Sequence, residues 1–241
     1  MQAKIRDILR RITGANEEWQ NIHDAAMRLL HVAHHADSLL DIGCGDGSTT
    51  MAYARLFGIS PQNIKGVEGS EGHRKKAAEK FSVYRMDIEK EHLPFADESF
   101  DLIVCNQVLE HLKNIFLPLS EMDRVMKIGG HLLIGIPNLA ALHNRLLLLL
   151  GRQPLCNAIA GPHIRCFAHR DFLNFLKANT NFELIGISSA ILYPFPVPLG
   201  GWLGRACPSL AAYTFYLLRK TQHKPTRCGW TRSSIGDTLL T

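Results

Sequence analysis

The sequence predicts an α/β fold of three layers, a mainly parallel sheet covered by helices on both faces. Two observations predict it. From Ser38 onward, short apolar runs alternate with helical stretches. The first run, Leu39-Leu40-Asp41-Ile42, breaks into the glycine turn Gly43-Cys44-Gly45-Asp46-Gly47 and then enters a helix. At 241 residues the chain fits one large domain.

In chain order, Ile5, Ile8, Leu9 and Ile12 recur at helical spacing, and a second amphipathic stretch runs from Glu17 to His35 with Trp19, Ile22, Ala26, Leu29 and Leu30 on one face. Residues 1–37 therefore read as a helical extension. A strand is expected over Ser38 to Ile42, a helix over Thr49 to Phe57, a strand over Asn63 to Val67 and a helix over Gly72 to Phe81. The series continues with a strand at Phe100 to Cys105, a helix at Leu117 to Met126 and a strand at His131 to Ile136. It closes with a helix at His169 to Ala178 and strands at Phe182 to Ser189 and Ala211 to Leu218.

Two stretches interrupt this rhythm. Residues 138–162, with the run Leu146 to Leu150, read as a helical cap, and the proline- and glycine-rich Tyr193 to Pro208 reads as a loop between the last two strands. The polar stretch 221–241 lacks periodicity and reads as a flexible tail, leaving 38–220 as the main domain.

A hydrophobic fraction of 46% with 20% charged residues is ordinary for a globular chain and excludes a fibrous or disordered one. The net charge of +5 comes from scattered Lys and Arg; His73-Arg74-Lys75-Lys76 reads as a solvated helix face, so no nucleic acid is signalled. Six cysteines with no CxxC pair point to a reduced, cytoplasmic setting. No stretch reaches the ~20 apolar residues of a membrane span, and no apolar leader is expected at the N-terminus. His31, His34 and His35 suit a helix C-terminus and stay unassigned. No feature specifies an oligomeric state.

The glycine turn carries the chemistry. Glycines there let backbone turn tightly and come close to a ligand. Ser48 stands where a dinucleotide site of GxGxxG spacing has its third glycine. Asp41 repels a pyrophosphate but suits a ligand bearing an ammonium and a sulfonium, which favours S-adenosylmethionine over NAD. The next strand ends at Glu68, at the same carboxyl edge, where a carboxylate can accept both hydroxyls of a ribose. Asp87 follows the third strand, where it can accept from an adenine amino group while Ile88 packs on the ring. Cys44 and Cys105 read as small apolar side chains rather than nucleophiles.

With these residues in place, the sequence resembles the class I S-adenosylmethionine-dependent methyltransferases of the type 11 group. The match runs through Leu93-Pro94-Phe95-Ala96-Asp97-Glu98-Ser99-Phe100-Asp101-Leu102-Ile103-Val104, then Val108-Leu109-Glu110-His111-Leu112 and Arg124-Val125-Met126-Lys127-Ile128-Gly129-Gly130. The resemblance, covering about Ser38 to Ser189, implies a Rossmann-like seven-stranded sheet with its last strand antiparallel. It implies a cofactor site lined by Asp41, Gly43, Cys44, Gly45, Glu68, Gly69, Asp87, Ile88, Asn106 and Gln107. The stretch from Ile136-Pro137-Asn138 to His163-Ile164-Arg165 is more loosely similar to methyltransferases associated with methionine biosynthesis and surface-glycan gene neighbourhoods.

A sulfonium is already a good leaving group, so alignment and desolvation supply much of the catalysis. A hydroxyl acceptor still needs a proton taken, and Glu110, His111 and His163 are the residues expected to face the acceptor. Gln107-Val108-Leu109-Glu110-His111 also resembles the ExxEH metal motif of ubiquinone-biosynthesis O-methyltransferases and small-RNA 2'-O-methyltransferases. Gln107 replaces the first Glu, which leaves a poor set for a hard cation. Glu110 and His111 are therefore read as capping the strand-to-helix turn, with no metal assigned. The apolar run 146–150 with Tyr193, Phe195 and Trp202 suits cap packing, or the pocket of an apolar or lipid-linked acceptor. The expected reaction is methyl transfer to an oxygen, nitrogen or carbon of a small molecule. The rivals are a non-catalytic scaffold that keeps the cofactor and an NAD-dependent oxidoreductase.

Overall fold

The computed structural model describes residue 8 and residues 18–221. The expected helix around Ile5 to Ile12 and the expected tail at 221–241 lie almost wholly outside the described residues. The helices are α1 (Glu18–Leu30), α2 (Ser48–Phe57), α3 (Glu71–Ala78), α4 (Phe116–Val125), α5 (Leu142–Leu149), α6 (His169–Asn179) and α7 (Val197–Ala206). The strands are β1 (Leu39–Ile42), β2 (Ile64–Val67), β3 (Ser82–Tyr84), β4 (Phe100–Asn106), β5 (Met126–Pro137), β6 (Phe182–Ala190) and β7 (Tyr213–Lys220). They form one seven-stranded sheet in the order β3-β2-β1-β4-β5-β7-β6. β7 runs antiparallel to both β5 and β6, and the pairs from β3 to β5 are parallel.

Side chains alternate across the sheet and build two cores. On one face Leu39, Ile64, Leu102, Val104 and Leu133 pack with Ile22, Ala26 and Leu30 of α1 and Tyr53 and Ala54 of α2. On the other, Leu40, Ile42, Ile103, Ile134 and Tyr216 pack with Leu119 and Met122 of α4 and Phe172 and Leu176 of α6. Each face thus hides a helical stripe that its sequence period supplied.

Three expectations change. Tyr193 to Pro208 is not a plain loop: α7 occupies Val197–Ala206, with Pro198 in the first turn, where a missing N–H leaves no bond unmade. β5 begins at Met126 rather than His131, because Met126 pairs with Phe100 before the register shifts and His131 pairs with Leu102. Trp19 is 73% exposed rather than buried with Ile22. It sits at the first turn of α1, past the sheet edge, and borders both cavities described below.

Asn138, just beyond β5, joins the later elements. Its Nδ2 donates to the carbonyls of Ser209 (3.0 Å) and Ala211 (2.9 Å), and its Oδ1 accepts from the amides of Ala140 (3.0 Å) and His169 (3.2 Å). Its carbonyl accepts from Asn144 Nδ2 (3.1 Å), while Asn144 Oδ1 accepts from the Leu155 amide (3.0 Å). Buried amides so fully used hold neighbouring segments in one geometry. No helix among the described residues is long and apolar enough to cross a membrane.

Candidate active site

The carboxyl ends of β1, β2 and β4 border a cleft of about 520 Å³. Beyond β1 the backbone passes through left-handed conformations at Gly43 (φ 75°) and Gly45 (φ 56°). A Cβ at Gly43 would collide with the Val108 side chain, whereas open space lies above Gly45. The Gly43 and Cys44 amides donate to the Val67 carbonyl at 2.8 and 3.1 Å, tying the turn to β2.

Two carboxylates charge this cleft. Asp41 is buried and accepts from Thr50 Oγ1 at 2.6 Å. Burial pushes its carboxyl up to about 7, Thr50 opposes the shift, and the Glu68 charge adds to it. Glu68 accepts the Gly45 amide on Oε2 (2.9 Å) and the Ser70 amide on Oε1 (2.7 Å). Its orientation is thus set by backbone on both sides. Such a cleft favours a cationic ligand with hydroxyls to donate.

Of the residues expected at a cofactor site, Asp41, Gly43, Cys44, Gly45, Glu68, Asn106 and Gln107 all border the cleft. Gly69, Asp87 and Ile88 do not. Asp87 is exposed, and its carboxylate turns to Lys90 Nζ (2.8 Å) and the Glu89 amide (3.1 Å), which hold it below the usual carboxylate range. Ile88 packs instead with Ile42, Leu93 and Met122 in a small apolar pocket. Burial, with Asp41 nearby, pushes the Cys44 thiol far up, consistent with an apolar rather than nucleophilic role.

At the end of β4, Asn106 Nδ2 reaches Tyr53 Oη at 3.4 Å while its Oδ1 has no partner. Gln107 follows at φ 58°, a conformation that costs a non-glycine residue about 1 kcal/mol or more. Its Nε2 is buried without a partner. Gln107 and His111 border both the cleft and a second cavity of about 340 Å³.

That second cavity brings Glu110, His111 and His163 together with Tyr193, which the sequence offered for cap packing or an apolar pocket, and adds His143, which sequence reasoning had not placed at a site. Glu110 is wholly buried, and neither carboxylate oxygen has a hydrogen-bond partner. Burial pushes its carboxyl up to about 8. The Glu110 amide opposes that shift, but neither carboxylate oxygen makes a full hydrogen bond that would cap the turn as expected. The Glu110 main-chain carbonyl instead accepts the Ile164 (2.8 Å) and Arg165 (3.0 Å) amides, clamping the turn to the segment that carries His163. The His111 and His163 rings meet edge to face, with centroids 4.8 Å apart.

His143 comes from the first turn of α5, buried against the edge of Tyr193 at 5.1 Å. Burial lowers it to about 4, so it is neutral near pH 7, and its Nδ1 has no partner. The only signal for it in the sequence was a polar residue opening an apolar helix.

Residues 40–134 match the family model Methyltransf_11, described as a methyltransferase domain. Among curated relatives, the demethylmenaquinone methyltransferase of Bacillus licheniformis is 33% identical over 120 residues, 48% of this chain and 49% of that protein. The matches cover half or less of the length of such relatives. Among solved structures, a SAM-dependent methyltransferase from Thermotoga maritima superposes with a TM-score of 0.57 at 21% identity, covering 89% of this chain and 99% of that one. Geranyl diphosphate C-methyltransferase from Streptomyces coelicolor superposes with a TM-score of 0.54 at 16% identity, covering 81% and 79%. These superpositions establish the shared fold.

Proposed function

We propose that this chain, a class I methyltransferase of the type 11 group through residues 40–134, transfers a methyl group from S-adenosylmethionine to a small molecule seated beside Glu110, His111 and His163. One observation carries the reading. A cleft with two fixed carboxylates and a close-approach glycine turn opens, across Gln107 and His111, onto a cavity lined by unpartnered polar atoms.

The cleft fits the cofactor by its chemistry. Asp41 would hold the cationic methionine end, Glu68 the ribose hydroxyls, and Gly43 and Gly45 the backbone against which the ligand lies. The bound cofactor supplies an activated methyl group on a sulfonium. The chain's own part is to seat the acceptor, exclude water and receive a proton. Glu110 itself is shielded from water at the cavity wall, and a seated acceptor would exclude water from the methyl group. For a hydroxyl acceptor, the ring nitrogens of His111 and His163 are the bases within the cavity.

The cap supports an acceptor with an apolar portion. Leu146, Leu148, Leu149 and Leu150 of α5 and its C-terminal turn are exposed, Leu149 at 83%, on the segment that also carries His143 and Asn144 into the cavity wall. The test is titration of S-adenosylmethionine into the wild type and Glu68→Ala, followed by an acceptor screen on the protein that binds. Roughly tenfold weaker binding is expected for the variant, the scale of one lost charge-assisted hydrogen-bond set. Unchanged affinity would refute the ribose assignment.

A further inference from the structure

We propose that the cap and α7 together form a docking face for an anionic bilayer surface, on which the protein rests by exposed leucines and arginines without crossing the membrane. Two segments build the face. Asn138 leaves the carboxyl end of β5 and Ile191 that of β6, so both segments emerge at the sheet edge that also holds the cleft. The first turn of α5 meets the chain on both sides of α7: His143 packs against Tyr193, and the Arg145 guanidinium donates to the Ser209 carbonyl at 3.3 Å.

Composition sets this face apart. Residues 138–170 and 184–220 hold no Asp or Glu, although the chain has 22. Arg145, Arg152 and Arg205 are exposed there, and no acid of either segment offsets them. Among them stand the exposed side chains of Leu148, Leu149, Leu150, Ile159, Leu199 and Trp202, with Ile159 at 88%. Apolar surface in water is unfavourable, so a concentration of it marks a place of contact.

The chemistry favours a bilayer over a protein partner. Protein interfaces draw their energy from aromatic and arginine anchors, and leucine is under-represented among their hot spots. A projecting aliphatic tip with arginines and no carboxylates instead matches a surface that is negative at its headgroups and apolar beneath them. Arginine stems can lie along the apolar layer while their guanidinium groups stay at the phosphates. Charge complementarity carries the choice: an acid among these residues would be repelled, and the two segments have none. Docking does not depend on the methyl-transfer reading, since vesicle binding is read without cofactor or acceptor. Combined with that reading, it points to acceptors resident in the bilayer, because the cap also supplies His143, Leu155 and Cys156 to the cavity wall.

The experiment is cosedimentation of the 241-residue chain with sucrose-loaded vesicles, of phosphatidylcholine alone and of phosphatidylcholine mixed with phosphatidylserine, at low and high salt. Binding to the mixed vesicles should exceed binding to phosphatidylcholine by roughly tenfold or more and weaken as salt screens the arginines. The double variant Leu149→Gln, Leu150→Gln should lower partition onto mixed vesicles roughly tenfold or more, since neither side chain then gains from leaving water. Arg152→Gln should lower it roughly fivefold. Both leucines are exposed, so the double variant should melt at the wild-type temperature. No binding to mixed vesicles at low salt, equal binding to both vesicle types, or a double variant that binds as the wild type does would each overturn the proposal. So would a dimer that the double variant abolishes, which assigns the face to a second copy, or a lowered melting temperature in that variant, which means the chain itself covers the leucines.

Discussion

The cleft at the glycine turn and the cavity beside it share Gln107 and His111, yet they treat their carboxylates in opposite ways. In the cleft, Asp41 is held by Thr50 and Glu68 by the amides of Gly45 and Ser70, and the unpartnered Oδ1 of Asn106 lies where the cleft meets the cavity's shared residue Gln107. In the cavity, Gln107 Nε2, both oxygens of Glu110 and Nδ1 of His143 have no partner. A saturated site is rigid before its ligand arrives, whereas an unsaturated one depends on the ligand to complete it. Under the proposed function, the difference separates a face built in advance for the cofactor from one that the acceptor completes.

The strongest way to break this comparison is through the backbone of the cleft. Gly43→Ala introduces a Cβ where φ is 75° and the Val108 side chain already sits. A loss of about 3 kcal/mol is expected from strain and overpacking together, read by denaturant unfolding. A variant as stable as the wild type would show that the turn yields and that the cleft is not preformed.

Next in size is the pH response of the cleft. Burial favours the protonated Asp41 carboxyl in the fold, up to about pH 7. Its protonation therefore stabilises the ligand-free protein in acid, and that contribution is lost as pH rises through about 7. A cationic cofactor needs the ionised form, so binding expels a proton. Affinity for S-adenosylmethionine should climb by up to about tenfold per unit on the acid side of that value and then level off. Asp41→Asn should bind weakly and lose this slope; a slope that persists in the variant would show that Asp41 is not the titrating group.

The smallest effect on stability belongs to the cavity. His143→Leu removes a buried imidazole with an unpartnered nitrogen, so stability should stay within about 1 kcal/mol of wild type or rise. The acceptor KM should increase while cofactor affinity holds. A large loss of stability would mean that His143 is a structural member of the cap, and the contrast between the two sites would narrow.

These two sites were unequally legible in the sequence. Gly43, Gly45 and Glu68 could be placed because strand, turn and strand end are local patterns whose geometry follows from residue type. From β1 to β7, the strands and helices that were given bounds lie within about three residues of those expected, β5 and α7 apart, while α1 ends five residues before the expected His35 and β3 was given no bounds. α7 was hidden because prolines at a helix start and in a loop look alike in sequence. Asp87 looked like a ligand by position, and only the fold shows Lys90 holding it in its own turn. His143 could not be placed: its meeting with Tyr193 depends on segments about 50 residues apart, and no local period records that contact.

Asn138 gives the cap a mechanical character. Its saturated side chain, with Asn144 beside it, clamps one end of residues 138–165, the Ile164 and Arg165 amides clamp the other to the Glu110 carbonyl, and the exposed Leu146 and Leu148 to Leu150 lie between. Loaded this way, the segment is a bridge: stiff at both abutments, where His143 and His163 keep their places, and tolerant at mid-span. Under the proposed function, exchanging the mid-span leucines while leaving Asn138 and Asn144 intact is a route to new acceptors that leaves the cleft undisturbed.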